Sequence, residues 1–206
     1  MKQYIFYSQN TPMNCYIWDN VEKPVGVVQI IRDNYEKLSQ YDKLAQFLNK
    51  NGYIVFGKYQ DIKDANLNQN QEIEIFNFLK HKFYLPIFLI ANNNSICTAK
   101  NIIQNVPNCS GTCIIQSQMR LKNKIASLFQ NRFNVGAEIC KKTPVLIIDK
   151  TKKINSINTE LIHNIKERYK HCFLKPLQIV LYSSAASDSE YNYLQNDVLK
   201  FFNNKK

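Results

Sequence analysis

The residues that could carry chemistry in this chain gather around one polar turn. Asn92, Asn93, Asn94, Ser95 and Cys97 follow directly on the apolar run Ile87, Phe88, Leu89, Ile90 and Ala91. A serine or cysteine at such a turn attacks a carbonyl only when a base within hydrogen-bond reach takes its proton and donors receive the developing negative charge. Of the three histidines, His81 precedes the apolar run, while His163 and His171 lie on or just past a candidate helix. None follows the last candidate strand, so neither Ser95 nor Cys97 has a visible base. The plainer roles are therefore expected: Ser95 as a helix N-cap and Cys97 as a small core residue. Glu36, Asp149 and Asp188 sit near strand ends, where a carboxylate pair or a cation site is conceivable and solvated loop groups are the commoner outcome.

The six cysteines contain no CxxC pair. Cys109 and Cys113 have an i, i+4 spacing, but no further His or Cys cluster completes four ligands, so no metal and no cofactor are expected. Reduced thiols in a cytoplasmic protein fit this usage better than a disulfide scaffold. The amino terminus lacks the apolar core of a signal peptide, and no apolar stretch is long enough for a membrane span.

A turn of this kind needs elements that hold it. Ile87 to Ala91 is a continuous apolar run, as expected of a strand covered on both faces, and Ile96 to Ile103 continues it as a helix. Lys2 to Tyr7 and Cys15 to Asp19, around the Asn10-Thr11-Pro12 breaker, predict an antiparallel hairpin. Gly26 to Ile31, Tyr41 to Asn49 and Tyr53 to Phe56 alternate as strand, helix and strand, a βαβ unit closed at Asn51-Gly52. Asp64 to Gln71 looks like a polar, asparagine-rich connector, followed by a helix from Glu72 to Phe83. Further strands are expected at Thr112 to Ile115, Val145 to Ile148 and Gln178 to Leu181, and helices at Leu121 to Phe133, Asn158 to Tyr169 and Tyr191 to Phe202. The fold class is α/β: one domain over residues 1–206, with a mostly parallel sheet of about eight strands between helical layers and an antiparallel hairpin at its edge.

These residues resemble the alpha/beta-hydrolases, in particular the monoacylglycerol lipase and lysophospholipase group. That group reads roughly VVQIVHGMAEHxxRYDxFAxFLNxxGYIV where this chain has VVQIIRDNYEKLSQYDKLAQFLNKNGYIV, and PIFLLGHSMG where it has PIFLIANNNS. The resemblance implies a nucleophile elbow at Asn93, an oxyanion loop at Arg32-Asp33, and an acid and a base at Lys153 and Ser187. All of these depart from the family pattern. An asparagine amide cannot act as the nucleophile, and an aspartate in the oxyanion loop adds negative charge where negative charge would grow. The helical cap usual in the group is reduced to a short connection, residues 116–142. The resemblance thus implies a catalytically inactive, hydrolase-like protein that binds a small ligand or a protein partner. The other reading is a serine hydrolase of lipid or ester substrates that uses Ser95 in a shifted elbow.

The formal charge is +11, from 27 Lys and Arg against 16 Asp and Glu. The lysines are scattered rather than grouped, which predicts at most weak, salt-sensitive association with anionic surfaces. The aromatic residues show no clustered platform, so nucleic acid is not an expected partner.

Overall fold

A computed structural model describes residues 1–32, 37–59, 65–92, 95–106, 108–116, 143–151, 177–183 and 188–204. The hairpin at the amino-terminal edge pairs β1 (Lys2–Ser8) with β2 (Thr11–Trp18), antiparallel and residue for residue. Its turn is Gln9-Asn10, both at positive φ, the two-residue turn whose twist matches a hairpin. Thr11 and Pro12, expected in the breaker, therefore belong to the strand. Proline is tolerated there because β2 begins to pair with its other neighbour only at Cys15.

The parallel strands follow: β3 (Gly26–Ile31), β4 (Tyr53–Lys58), β5 (Ile87–Asn92), β6 (Cys109–Gln116), β7 (Val145–Thr151) and β8 (Leu177–Ser183). They form one eight-stranded sheet in the order β1-β2-β4-β3-β5-β6-β7-β8, in which only the two pairings of β2 are antiparallel. Every residue of β3, β4 and β5 is buried, the polar Gln29, Lys58 and Asn92 along with the apolar majority.

Between β3 and β4 lie a short 3-10 turn (Leu38–Tyr41) and helix α1 (Asp42–Lys50), which Gly52 ends at a φ of +91°. Helix α2 (Ala65–Phe83) leads to β5, α3 (Ile96–Asn105) to β6, and α4 (Asp188–Asn203) follows β8. The chain steps one way across the sheet from β3 to β4 and the other way from β4 to β5. Right-handed crossovers then place α1 and α2 on opposite faces. The two cores show this: Leu44, Ala45 and Leu48 pack with Phe88, Val198 and Phe201 on one side, and Ile75, Phe76 and Leu79 pack with Leu89, Ala99 and Ile102 on the other. Phe88 anchors the first core, its ring 4.4 Å from Phe202 and 5.8 Å from Tyr53. Six of the aromatic residues, Tyr53, Phe56, Phe76, Phe88, Phe201 and Phe202, are fully buried in the cores, while Tyr7, Tyr59, Tyr84 and Tyr193 are exposed.

One expectation is corrected here. The polar stretch Asp64 to Gln71 is not a connector, because α2 already begins at Ala65. Tertiary contacts override weak propensity: Gln71 and Glu72 are buried, and Gln69 Oε1 accepts from Asn101 Nδ2 of α3 at 2.7 Å. Cys109 and Cys113 do not share a face of the sheet. The register shifts at the start of the β5–β6 ladder, where Ile87 faces Cys109 but Phe88 faces Gly111, so Ser110 is an extra residue. That bulge puts Cys109 and Cys113 in different cores, on opposite faces of the sheet. The expected helices at Leu121 to Phe133 and Asn158 to Tyr169, and the connection 117–142, lie outside the described residues.

Candidate functional site

The parallel strands all end on one edge, and between β3 and β5 the direction of winding reverses. In open α/β sheets the crevice outside the carboxyl ends at such a switch point is where ligands sit. The residues brought there are Arg32 after β3, Lys58 and Tyr59 at the end of β4, and Asn92 and Ser95 at the turn after β5.

The turn is fastened to β3 through Ser95. Its Oγ accepts from the Asn92 backbone N–H at 2.9 Å and lies 2.7 Å from the Ile31 carbonyl oxygen and 2.8 Å from Asn92 Oδ1. Both are acceptors, so the one hydroxyl proton is shared between them. The Ser95 backbone N–H in turn donates to Asn92 Oδ1 at 3.1 Å. Ser95 holds the N-cap position of α3, as expected, but its side chain makes no capping bond. The hydroxyl instead ties the switch point together, and the residue is buried. Cys97 is exposed, which corrects its expected place in the core. The other described cysteines, Cys15, Cys109 and Cys113, are buried and unbridged. Burial raises all three thiols, Cys15 to about 12, so none is a thiolate at neutral pH.

Arg32 is buried and turned toward β4. Its Nε donates to the Lys58 carbonyl at 2.9 Å, and a terminal nitrogen donates to the Tyr59 carbonyl. A guanidinium thus clamps the ends of β3 and β4 together. Beneath it lies a polar cluster that no motif announced. Glu72 of α2 is buried with its carboxylate 3.7 Å from Lys58 Nζ, both side chains only 3% exposed. Gln29, in the middle of β3, donates from Nε2 to Glu72 Oε2 at 2.7 Å and to the Glu72 carbonyl at 3.1 Å.

Burial lifts the pKa of Glu72 above the ordinary carboxylate value, although Lys58, Gln29 and Arg32 each pull it down. Removal from water therefore outweighs the ion pair at that distance. Because folded Glu72 holds its proton more tightly than the unfolded chain does, folding takes up a proton as this group titrates. Its stabilising contribution is full below about pH 4.5 and is lost as pH rises through the folded-state value. Glu72→Gln is accordingly expected to gain stability relative to the parent chain as pH climbs from 4.5 to neutrality. Parallel urea melts of the two proteins across that range check it.

No family model and no curated protein matches this sequence. Solved structures match its fold. A highly thermostable carboxyl esterase from Bacillus coagulans superposes with a TM-score of 0.71 at 10% identity, over 99% of this chain and 98% of the esterase. A soluble variant of monoglyceride lipase from Saccharomyces cerevisiae gives 0.67 at 13% identity, over 100% and 96%. The chain has the alpha/beta-hydrolase fold. The fluorophosphonate-binding serine hydrolase FphF of Staphylococcus aureus gives 0.63 at 9% identity, over 98% and 97%. At these identities the likeness is one of fold.

Of the positions where hydrolase-like chemistry was sought, Arg32 and Ser95 are brought to the switch point of this fold. Asn93, Asp33, Lys153, Ser187, Glu36, His163 and His171 lie outside the described residues. Asp149 lies within β7, paired with Gln116 and Leu181, and Asp188 is not at a strand end but is the first residue of α4. Among the described residues no group of three His, Cys, Asp or Glu side chains could hold a metal ion. No helix among them is long and apolar enough to cross a membrane. The Lys58–Glu72–Gln29 cluster is what sequence reasoning missed. The available signals were two polar residues in otherwise apolar strands, Gln29 within β3 and Lys58 at the end of β4.

Proposed function

We propose that this alpha/beta-hydrolase-like protein is catalytically inactive and uses the crevice at the β3/β5 switch point to bind a small ligand or a protein partner. The observation that carries the reading is the state of Ser95. The one hydroxyl at the described part of the elbow is buried and held by Ile31 and Asn92, while the position matching the family nucleophile is Asn93. Arg32 supports the same reading, because its guanidinium braces β4 where the resembling family has the His-Gly pair of its oxyanion loop. Lys153 and Ser187 in the acid and base positions complete the substitution. In this reading the domain spans residues 1–206, the short connection 116–142 leaves the crevice without a helical cap, and the unbridged cysteines fit the reducing cytoplasm. The scattered positive charge gives weak, salt-sensitive attraction to anionic surfaces, and nucleic acid is not the partner.

Turnover of short-chain p-nitrophenyl esters tests the reading. The parent chain, Ser95→Ala and Cys97→Ala are all expected to match the uncatalysed background. Turnover well above background that Ser95→Ala abolishes would establish instead a serine hydrolase working from a shifted elbow.

A further inference from the structure

The outer edge of the sheet carries a self-complementary strand. Tyr59 N–H donates to the Asn14 carbonyl at 2.8 Å, so even-numbered residues of β2 turn their backbone groups toward β4 and odd-numbered ones toward β1. In the hairpin register Ile17, Cys15, Met13 and Thr11 face Lys2, Tyr4, Phe6 and Ser8. These even-numbered residues of β1 are therefore the ones bonded to β2. Gln3, Ile5 and Tyr7 direct their N–H and C=O groups outward, and β1 is the last strand of the sheet among the described residues. Their side chains occupy the open face of the hairpin, with Ile5 52% and Tyr7 66% exposed, while Tyr4 and Phe6 pack into the core beneath α2.

Edge strands are normally blunted by a proline, a bulge or an inward charge. β1 has neither a proline nor a bulge, and its one charged residue, Lys2, stands at its end, 3.0 Å from Asp19. We propose that β1 is a homodimer interface, at which a second copy adds its own β1 antiparallel across a two-fold axis at Ile5 and joins two eight-stranded sheets into one.

The register follows from the outward-facing residues. Ile5 opposes Ile5 of the second copy, and Gln3 and Tyr7 oppose the second copy's Tyr7 and Gln3, each pair exchanging two backbone hydrogen bonds. In this arrangement Lys2 falls opposite the second copy's Ser8 and not against another lysine. In this register the outward backbone groups of Gln3, Ile5 and Tyr7 are all paired and no like charges stand face to face, which is the ground for a second copy as the occupant. Two bodies of +11 repel at long range, so the dimer strengthens as salt is added.

Sedimentation equilibrium from low-micromolar to millimolar protein tests the proposal. The mass is expected to climb from 24.2 kDa toward twice that value, and to climb sooner at higher salt. Ile5→Lys and Ile5→Glu, each placing like charges face to face at the axis, are expected to stay at the monomer mass. Their melting curves should match the parent chain, since Ile5 is an exposed position. An equimolar mixture of the two variants is expected to dimerise again, because lysine then meets glutamate. A parent chain that is monomeric throughout, a chain that captures an unrelated β-strand peptide while remaining monomeric, a dimer indifferent to Ile5→Lys, or a mixture that stays monomeric would each overturn it.

Discussion

Lys58→Met is expected to destabilise the protein at pH 7 by up to about 3 kcal/mol, and by less than about 1 kcal/mol near pH 4. Lys58 is the largest favourable influence on the Glu72 carboxylate, whose removal from water already costs more than its partners return. Without the lysine, Glu72 stays folded by keeping its proton. The work of protonating an ordinary carboxyl at pH 7 is about 3.7 kcal/mol, which sets the ceiling on the loss. At acid pH that work vanishes, and with it most of the effect. The companion change Glu72→Gln removes the charge while keeping the shape and the hydrogen-bonding partner of Gln29. Lys58→Met/Glu72→Gln is therefore expected to recover stability to within about 1 kcal/mol of the parent chain. Urea unfolding of the two single variants and the double variant at pH 7 and pH 4 gives the coupling directly. Equal losses for Lys58→Met at both pH values would mean that the lysine acts through packing alone.

The second large effect concerns Asn93, Lys153 and Ser187, which the family resemblance matches to a catalytic triad. Asn93→Ser by itself is expected to leave ester turnover within about twofold of background, because a serine without a base gains little; triad members act as a unit. Asn93→Ser, Lys153→Asp and Ser187→His together are expected to bring turnover to a measurable level, still orders of magnitude below a working esterase. The shortfall would follow from Arg32, which braces β4 through the Lys58 and Tyr59 carbonyls, and from Asp33 next to it in sequence, the pair that the resemblance matches to the oxyanion loop. Burst kinetics with a p-nitrophenyl ester on the parent chain, Asn93→Ser and the triple variant measures both steps. A gain of more than tenfold from Asn93→Ser alone would show that a base already stands at the elbow.

The strands were legible because burial on both faces leaves a mostly apolar run, as in Gly26–Ile31 with its single Gln29 and in Ile87–Ala91, while apolar residues at helical spacing marked α1. The start of α2 was not, since Gln71 and Glu72 are helical and buried only through contacts with strands and a helix far away in sequence. Lys58 and Gln29 gave no sign that they share one carboxylate, because the contact spans 43 residues from Gln29 to Glu72. Ser95 was correctly placed at the helix start, but its bond to Ile31 depends on β3 and β5 being neighbours, a fact of topology. The bulge at Ser110 likewise left no mark in the Cys109 and Cys113 spacing, and it puts the two side chains on opposite faces.

Intact-mass measurement after prolonged exposure to a fluorophosphonate tests the absence of serine-hydrolase chemistry most directly, since the reagent reports an activated serine without any need to guess a substrate. The parent chain is expected to keep its unmodified mass, as Ser95 is buried with its proton committed to Ile31 and Asn92. A stoichiometric adduct mapped to Ser95 and lost in Ser95→Ala would contradict the account.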